Sequence, residues 1–203
     1  MKYIALATED VLSEAVGIRL IEELKGKFEI NHFLRKGGSG YLRSKIQNWK
    51  ELSRHQCVLL ITDLDRKECP QLLLNDWLGR TPVPPNLLIR IAVREIESWI
   101  LADHQAVQNL MGKAVRISAN PDELPDPKHY LLGLARKAVK PVSDELVKIE
   151  GAVASQGIGY NALLEKIVRE CWSPERASEH SPSLRRARIR LRELVQRIEN
   201  NLH

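Results

Sequence analysis

The stretch Cys57-Val-Leu-Leu-Ile-Thr-Asp63-Leu-Asp65 decides how this chain reads. Its apolar, partly β-branched run from Cys57 to Ile61 has the composition of a strand buried on both faces, as in a parallel sheet. The run ends in two carboxylates one residue apart. Residues i and i+2 of an extended segment share a face, so Asp63 and Asp65 can enter one crevice. Open α/β sheets bind ligands at the carboxyl ends of their strands. Two carboxylates this close repel unless a proton or a cation lies between them, and hard cations such as Mg²⁺ prefer oxygen ligands. A metal site is the expectation.

Toward the amino terminus, residues 3–8 read as a first strand that ends at Glu9 and Asp10. Val11, Leu12, Ala15, Ile18, Ile21 and Leu24 then recur at the spacing of an amphipathic helix. Residues 28–34 alternate as a second strand. Arg35-Lys36-Gly37-Gly38-Ser39-Gly40 follows as a loop able to bring backbone N–H groups to a phosphate, without the Gly-Lys-Ser/Thr ending of a Walker motif. Residues 40–53 predict one helix leading into the central strand. Beyond Asp65, a helix over 70–78 and a proline-rich loop over 81–86 precede a fourth strand at 87–93. This alternation predicts an α/β fold, a mainly parallel sheet of about four strands flanked by helices.

From Arg94 the pattern is helical, with Ile96, Trp99 and Ile100 on one face. A helix advances so that Glu95 and Glu97 lie roughly 160° apart, which lets Glu95 reach the crevice only from the strand end. Asp103 reads as the amino-terminal cap of a helix over 104–111. Only helices are expected beyond it, so residues 1–103 form the α/β domain and 104–203 a helical region packed on it. The last helix opens at Ser181 and Pro182, and buries Leu184, Ala187, Leu191, Leu194, Val195 and Ile198.

With 43% hydrophobic and 28% charged residues in 203, the composition is that of a soluble globular protein. No apolar run reaches the ~18 residues of a membrane span. Glu9 and Asp10 come too early for a secretory leader, so a cytoplasmic location is expected. Cys57, Cys69 and Cys171 show no paired spacing, which excludes a disulfide framework or zinc ribbon. The formal charge is +5, and residues 181–203 carry six Arg against Glu193 and Glu199, or +4, leaving +1 on the preceding 180. A basic carboxyl terminus suits a polyanionic partner.

Glu9, Asp63, Asp65 and either Glu95 or Glu97 thus stand at or just after strand ends. A haloacid-dehalogenase phosphatase would carry its Asp-x-Asp on the first strand, whereas here a strand, helix, strand and helix precede it. A receiver fold would need a later strand-end Thr or Ser and a Lys, which are not evident. The residues resemble the Toprim domain of topoisomerases, primases and overcoming-lysogenisation-defect nucleases. That family places a glutamate after its first strand, as in Ala-Thr-Glu9-Asp10, and an Asp-x-Asp after a later one, as at Asp63 and Asp65. The chain is similar to a bacterial Toprim-like family through Arg94-Glu-Ile-Glu-Ser-Trp-Ile-Leu-Ala-Asp103, the Gly-Gly loop and Ser181-Pro-Ser-Leu-Arg-Arg186. It departs from the common Glu-Gly pair, because Asp10 follows Glu9.

The resemblance implies a nuclease that hydrolyses DNA or RNA with Mg²⁺ or Mn²⁺, in phage defence beside an ATPase partner. Asp63 and Asp65 would hold metal and Glu97 would complete the shell, with Glu95 a further candidate ligand. Glu9 would be a second-metal ligand or general acid/base. Lys36, Arg94, Arg185, Arg186 and Arg188 are the expected phosphate contacts. The alternative is a catalytically silent Toprim-like subunit that binds nucleic acid or a partner. Aromatic content of 5%, with Trp49, Trp77 and Trp99 at packing positions, argues against a base-stacking platform.

Overall fold

The apolar runs become four strands, β1 (Lys2–Thr8), β2 (Phe28–Arg35), β3 (Cys57–Asp63) and β4 (Leu87–Ala92). They are seen in a computed structural model that describes residues 2–35, 37–79, 81–147 and 156–200. All three pairings are parallel, in the order β2-β1-β3-β4. The fold is α/β, as the alternation of elements indicates. The central strands β1 and β3 are buried on both faces from Ile4 to Ala7 and from Val58 to Ile61. That is why their sequences run apolar without alternating. From β1 the chain steps outward to β2 and then crosses back to β3 on the other side, so the order reverses between β1 and β3.

Helices cover both faces. On one face α1 (Val11–Glu22) meets Leu6, Leu59 and Ile61, in a core that continues through Trp99, Leu164, Trp172 and Leu191. On the other, α2 (Gly38–Ser44), α3 (Ile46–Leu52) and α4 (Pro70–Leu78) bury Leu42, Trp49, Leu73 and Trp77 against Val58, Leu60, Ile89 and Ile91. The single helix expected over 40–53 is broken at Lys45, where φ is −101° and ψ 12°. The Trp49 indole N–H donates to the Leu42 carbonyl at 2.9 Å, taking the acceptor that Ile46 would use in an unbroken helix.

After β4 come α5 (Ile96–Ala102), α6 (His104–Met111), a 3₁₀ turn (Pro121–Glu123), α7 (Pro127–Ala135), α8 (Lys140–Leu146), α9 (Tyr160–Glu170), α10 (Pro174–His180) and α11 (Pro182–Asn200). Among the described residues the only extended pairing after β4 is an isolated bridge between Val147 and Gln156. No described helix is long and apolar enough to cross a membrane. Residues on both sides of position 103 share the first core, with α9 against α1 and α11 along β4. Buried indoles fix this packing: Trp99 donates to the Ser183 hydroxyl at 2.7 Å and Trp172 to the Trp99 carbonyl at 3.0 Å.

Asp103 is wholly buried and does more than cap α6. It accepts from the Ala106 N–H at 3.3 Å, the Ser173 N–H at 2.7 Å, and Arg176 through Nε at 2.9 Å and Nη2 at 2.7 Å. Removing the carboxylate would leave the two amides without this acceptor, while Arg176, 39% exposed, would keep its bond to the Cys171 carbonyl at 2.7 Å. Asp103→Ala is therefore expected to lower unfolding free energy by about 2–3 kcal/mol in urea titrations; a loss below ~1 kcal/mol would show that the pair only decorates the fold.

Candidate functional site

Glu9, immediately after β1, reaches across to β3: its Oε1 accepts the Asp63 backbone N–H at 2.8 Å and the Thr62 hydroxyl. The first and third strands therefore deliver their acids to the same end of the sheet, where the strand order reverses. The missing glycine after Glu9 has a local explanation. Asp10 is extended, with φ −145° and ψ −175°, and caps α1 by accepting the Ser13 N–H at 2.8 Å. An extended capping residue needs no glycine.

Beyond Asp63 the tips of β3 and β4 are tied together. The Leu64 N–H donates to the Ala92 carbonyl at 2.9 Å and the Asp65 N–H to the Arg94 carbonyl at 2.8 Å. Asp65 (φ 50°) and Arg94 (φ 44°) both lie in the left-handed region, which costs a residue with a side chain about 1–2 kcal/mol. Such strain persists only where surrounding structure enforces it. Arg94 closes the loop by donating from Nη1 to the carbonyls of Asp65, at 3.1 Å, and Lys67, at 2.7 Å. Its guanidinium holds the loop that carries Asp65, and it also lines the crevice.

Glu95 and Glu97 part as helix geometry requires. Glu95 is the extended residue before α5, with φ −143° and ψ 160°, and lines the crevice while accepting the Lys128 N–H at 3.0 Å. Glu97 lies within α5, 5% exposed, and accepts the Tyr160 hydroxyl at 2.8 Å. Lys128 Nζ sits 5.1 Å from the Tyr160 ring centre, so α7 and α9 brace both glutamates.

These acids form one electrostatic cluster. Burial, and then the charges of Glu9, Glu97, Asp10 and Asp65, push Asp63 well above the ordinary aspartate range. Burial raises Glu9 against the hydrogen bonds from Thr62 and Asp63. Burial likewise raises Glu95, and it takes Glu97 to about 7 against its bond from Tyr160. Among the described residues no donor reaches the Asp63 carboxylate. The crevice has a volume of about 750 Å³, with Asp63, Asp65, Glu95 and Asp126 among its acids. Arg43, Arg66, Lys67 and Arg94 supply the opposing charge. Asp76 engages Arg43 at 2.7 Å and Lys67 at 3.2 Å.

No family model, curated protein or solved structure matches the chain. The site must be read from its own residues.

Among the described residues no three His, Cys, Asp or Glu side chains are grouped so as to hold a metal ion. The donor set nevertheless suits a hard divalent cation: carboxylate oxygens only, with Asp63 short of donors and surrounded by like charge. Of the expected phosphate contacts, Lys36 lies outside the described residues. Arg188 is 7% exposed and paired with Glu23 on α1's C-terminal side, and Arg185 donates to the Ser178 and Glu179 carbonyls at 2.9 Å. Arg186 lies beside β4. The expected arginine cluster is thus split, because position 188 falls on the buried stripe of Leu184, Ala187 and Leu191. Thr62, Lys128 and Tyr160 were not evident as site residues. Asp126 alone carried a local signal, the Asp-Pro start of α7, which it caps by accepting the His129 N–H at 2.6 Å.

A raised carboxyl makes stability pH-dependent. Between the unfolded value near 4.3 and about 7, the folded chain keeps a proton on Glu97 that the unfolded chain has lost, so stability present at low pH is lost as pH rises. Without divalent ions, the unfolding free energy from urea titrations should fall from pH 5 to pH 8, and Glu97→Gln should flatten that fall by on the order of 3 kcal/mol. Equal pH slopes in the two proteins would contradict the proton on Glu97.

Proposed function

We propose that the crevice hydrolyses phosphodiester bonds of nucleic acid with Mg²⁺ or Mn²⁺, in the manner of a Toprim nuclease. The observation that carries this reading is the hydrogen bond from the Asp63 N–H to Glu9, which joins the β1 and β3 acids at the sheet's reversal point. Asp63 and Asp65 would hold the ion, with Glu95 on the facing wall. A bound divalent ion supplies charge neutralisation at the phosphoryl oxygens. Glu9 keeps Oε2 free of hydrogen bonds among the described residues, as needed by a second ligand or a general acid/base. Glu97, buried and bonded to the Tyr160 hydroxyl, is left outside the proposed shell. Arg66 and Lys67 on the exposed rim are placed to meet backbone phosphates. The Toprim resemblance supports the same chemistry and adds an ATPase in phage defence as the candidate partner.

A catalytically silent binding subunit is favoured by one observation, the lack of a three-carboxylate metal group among the described residues. Two measurements separate the readings. Mn²⁺ should raise the melting temperature of the native chain and not of Asp63→Asn. Mn²⁺-dependent cleavage of DNA or RNA should fall about a hundredfold or more in that variant. Undiminished cleavage would remove Asp63 from the site, and a metal-induced shift without cleavage of any nucleic acid would leave the silent subunit.

A further inference from the structure

β4 ends the sheet, and among the described residues one side of its backbone has no strand beside it. In a strand, the side to which a residue turns its N–H and C=O alternates along the chain. Asn86, Ala92 and Arg94 turn their carbonyls toward β3, accepting from Val58 at 2.9 Å, Leu64 at 2.9 Å and Asp65 at 2.8 Å. Ile89 and Ile91, of opposite parity, therefore turn their N–H and C=O groups outward. Among the described residues nothing bonds to them.

Helices flank this open edge on both faces of the sheet. A groove of about 350 Å³ runs over Ile89, Arg90 and Ile91, between Pro70 and Leu74 of α4 and Arg186 and Ile189 of α11. Ile189 is 46% exposed there and lies off the buried stripe of its helix. The two walls differ in chemistry: Ile89, Ile91 and Leu74 make one apolar, while Arg90, Arg186 and Arg190, with Glu193 and Ile189 among them, make the other net positive.

That positive charge is incompletely answered within the chain. Arg190 pairs with Glu193 at 2.7 Å, but among the described residues no carboxylate meets Arg90 or Arg186. The Arg90 Nε is buried without a partner. Burial, with the charges of Arg190 and Arg186 and against that of Glu193, brings Arg90 down to about 10. A buried donor left unpaired destabilises the fold, and an incoming acceptor would recover that loss. Inward-pointing charge on an edge strand also discourages pairing with a second copy, since β4 against β4 would bring arginine groups together.

We infer that the outer edge of β4 receives an extended acidic peptide as a fifth strand, its backbone pairing with Ile89 and Ile91 and its carboxylates meeting Arg90 and Arg186. The two walls set a period of two for the occupant: acidic side chains toward α11, apolar ones toward α4. This groove lies apart from the carboxylate crevice, and the inference does not depend on what that crevice does.

The test uses a fluorescein-labelled short peptide of alternating glutamate and valine, and the full chain. Binding by polarisation should weaken about tenfold in Arg186→Glu, an exposed position on α11, and when lysine replaces the peptide's glutamates. Strand pairing has a sharper signature. Only one parity of peptide N–H groups faces β4, so N-methylation of either the valines or the glutamates, but not of both sets alike, should abolish binding. Amide exchange at Ile89 and Ile91 should slow with the peptide bound. Retained binding by both methylated forms would reduce the site to a charge patch and overturn the inference, as would failure of the parent peptide to bind. It would also fall if a short oligothymidylate bound in the peptide's place without protecting the two amides. Protection of those amides by increasing protein concentration alone would assign the edge to a second copy of the chain instead.

Discussion

The hydrogen bond from the Asp63 amide to the Glu9 carboxylate sets the character of this molecule. It closes the reversal point between β1 and β3 with a charged acceptor, where an apolar contact would have been cheaper. It also fixes a glutamate against the end of the strand that carries Asp63. Burial first, and neighbouring like charge after it, raises the proton affinity of Asp63, Glu9, Glu95 and Glu97. Without a cation the cluster is a source of instability, and the two left-handed residues Asp65 and Arg94 add strain beside it. Structure that retains such costs at one end of a sheet is organised for something other than stability.

The rest of the fold absorbs those costs. Two apolar layers clamp β1 and β3, and the helical region after position 103 is part of one of them. The same helices hold two of the clustered acids: Lys128 at the start of α7 donates to Glu95, and Tyr160 at the start of α9 donates to Glu97. Asp103 and Arg176 anchor this layer from inside, while Arg188 is spent on Glu23. The basic excess of the last helix is therefore not a uniform phosphate-binding face. Part of it is structural, and part, with Arg90, lies along the open edge of β4.

Much of this was legible in the sequence, for reasons that differ from residue to residue. The double-sided burial of β3 showed in its unbroken apolar run; Asp63 and Asp65 both line the crevice, but Asp65 reaches it through a left-handed turn beyond the strand and not by the extended i, i+2 spacing. Helical rotation alone separates Glu95 from Glu97. Arg188 could have been recognised as structural from its place in the Leu184, Ala187, Leu191 stripe, yet its charge drew it into a surface cluster. Other features have no local signature. The Glu9–Asp63 bond spans 54 positions and the Tyr160–Glu97 bond 63, so neither leaves a periodicity. The break at Lys45 depends on where the Trp49 indole points. The left-handed turn at Arg94 is set by the backbone bond between β-strand tips, since arginine by itself does not favour it.

The central claim is that the carboxylates at the β1–β3 reversal share a divalent cation. Anomalous scattering from crystals soaked in Mn²⁺ examines it most directly. The account predicts a manganese peak within bonding distance of the Asp63 carboxylate, with Asp65, Glu9 or Glu95 contributing a further oxygen. A clear map at saturating Mn²⁺ with no peak at Asp63 would contradict it.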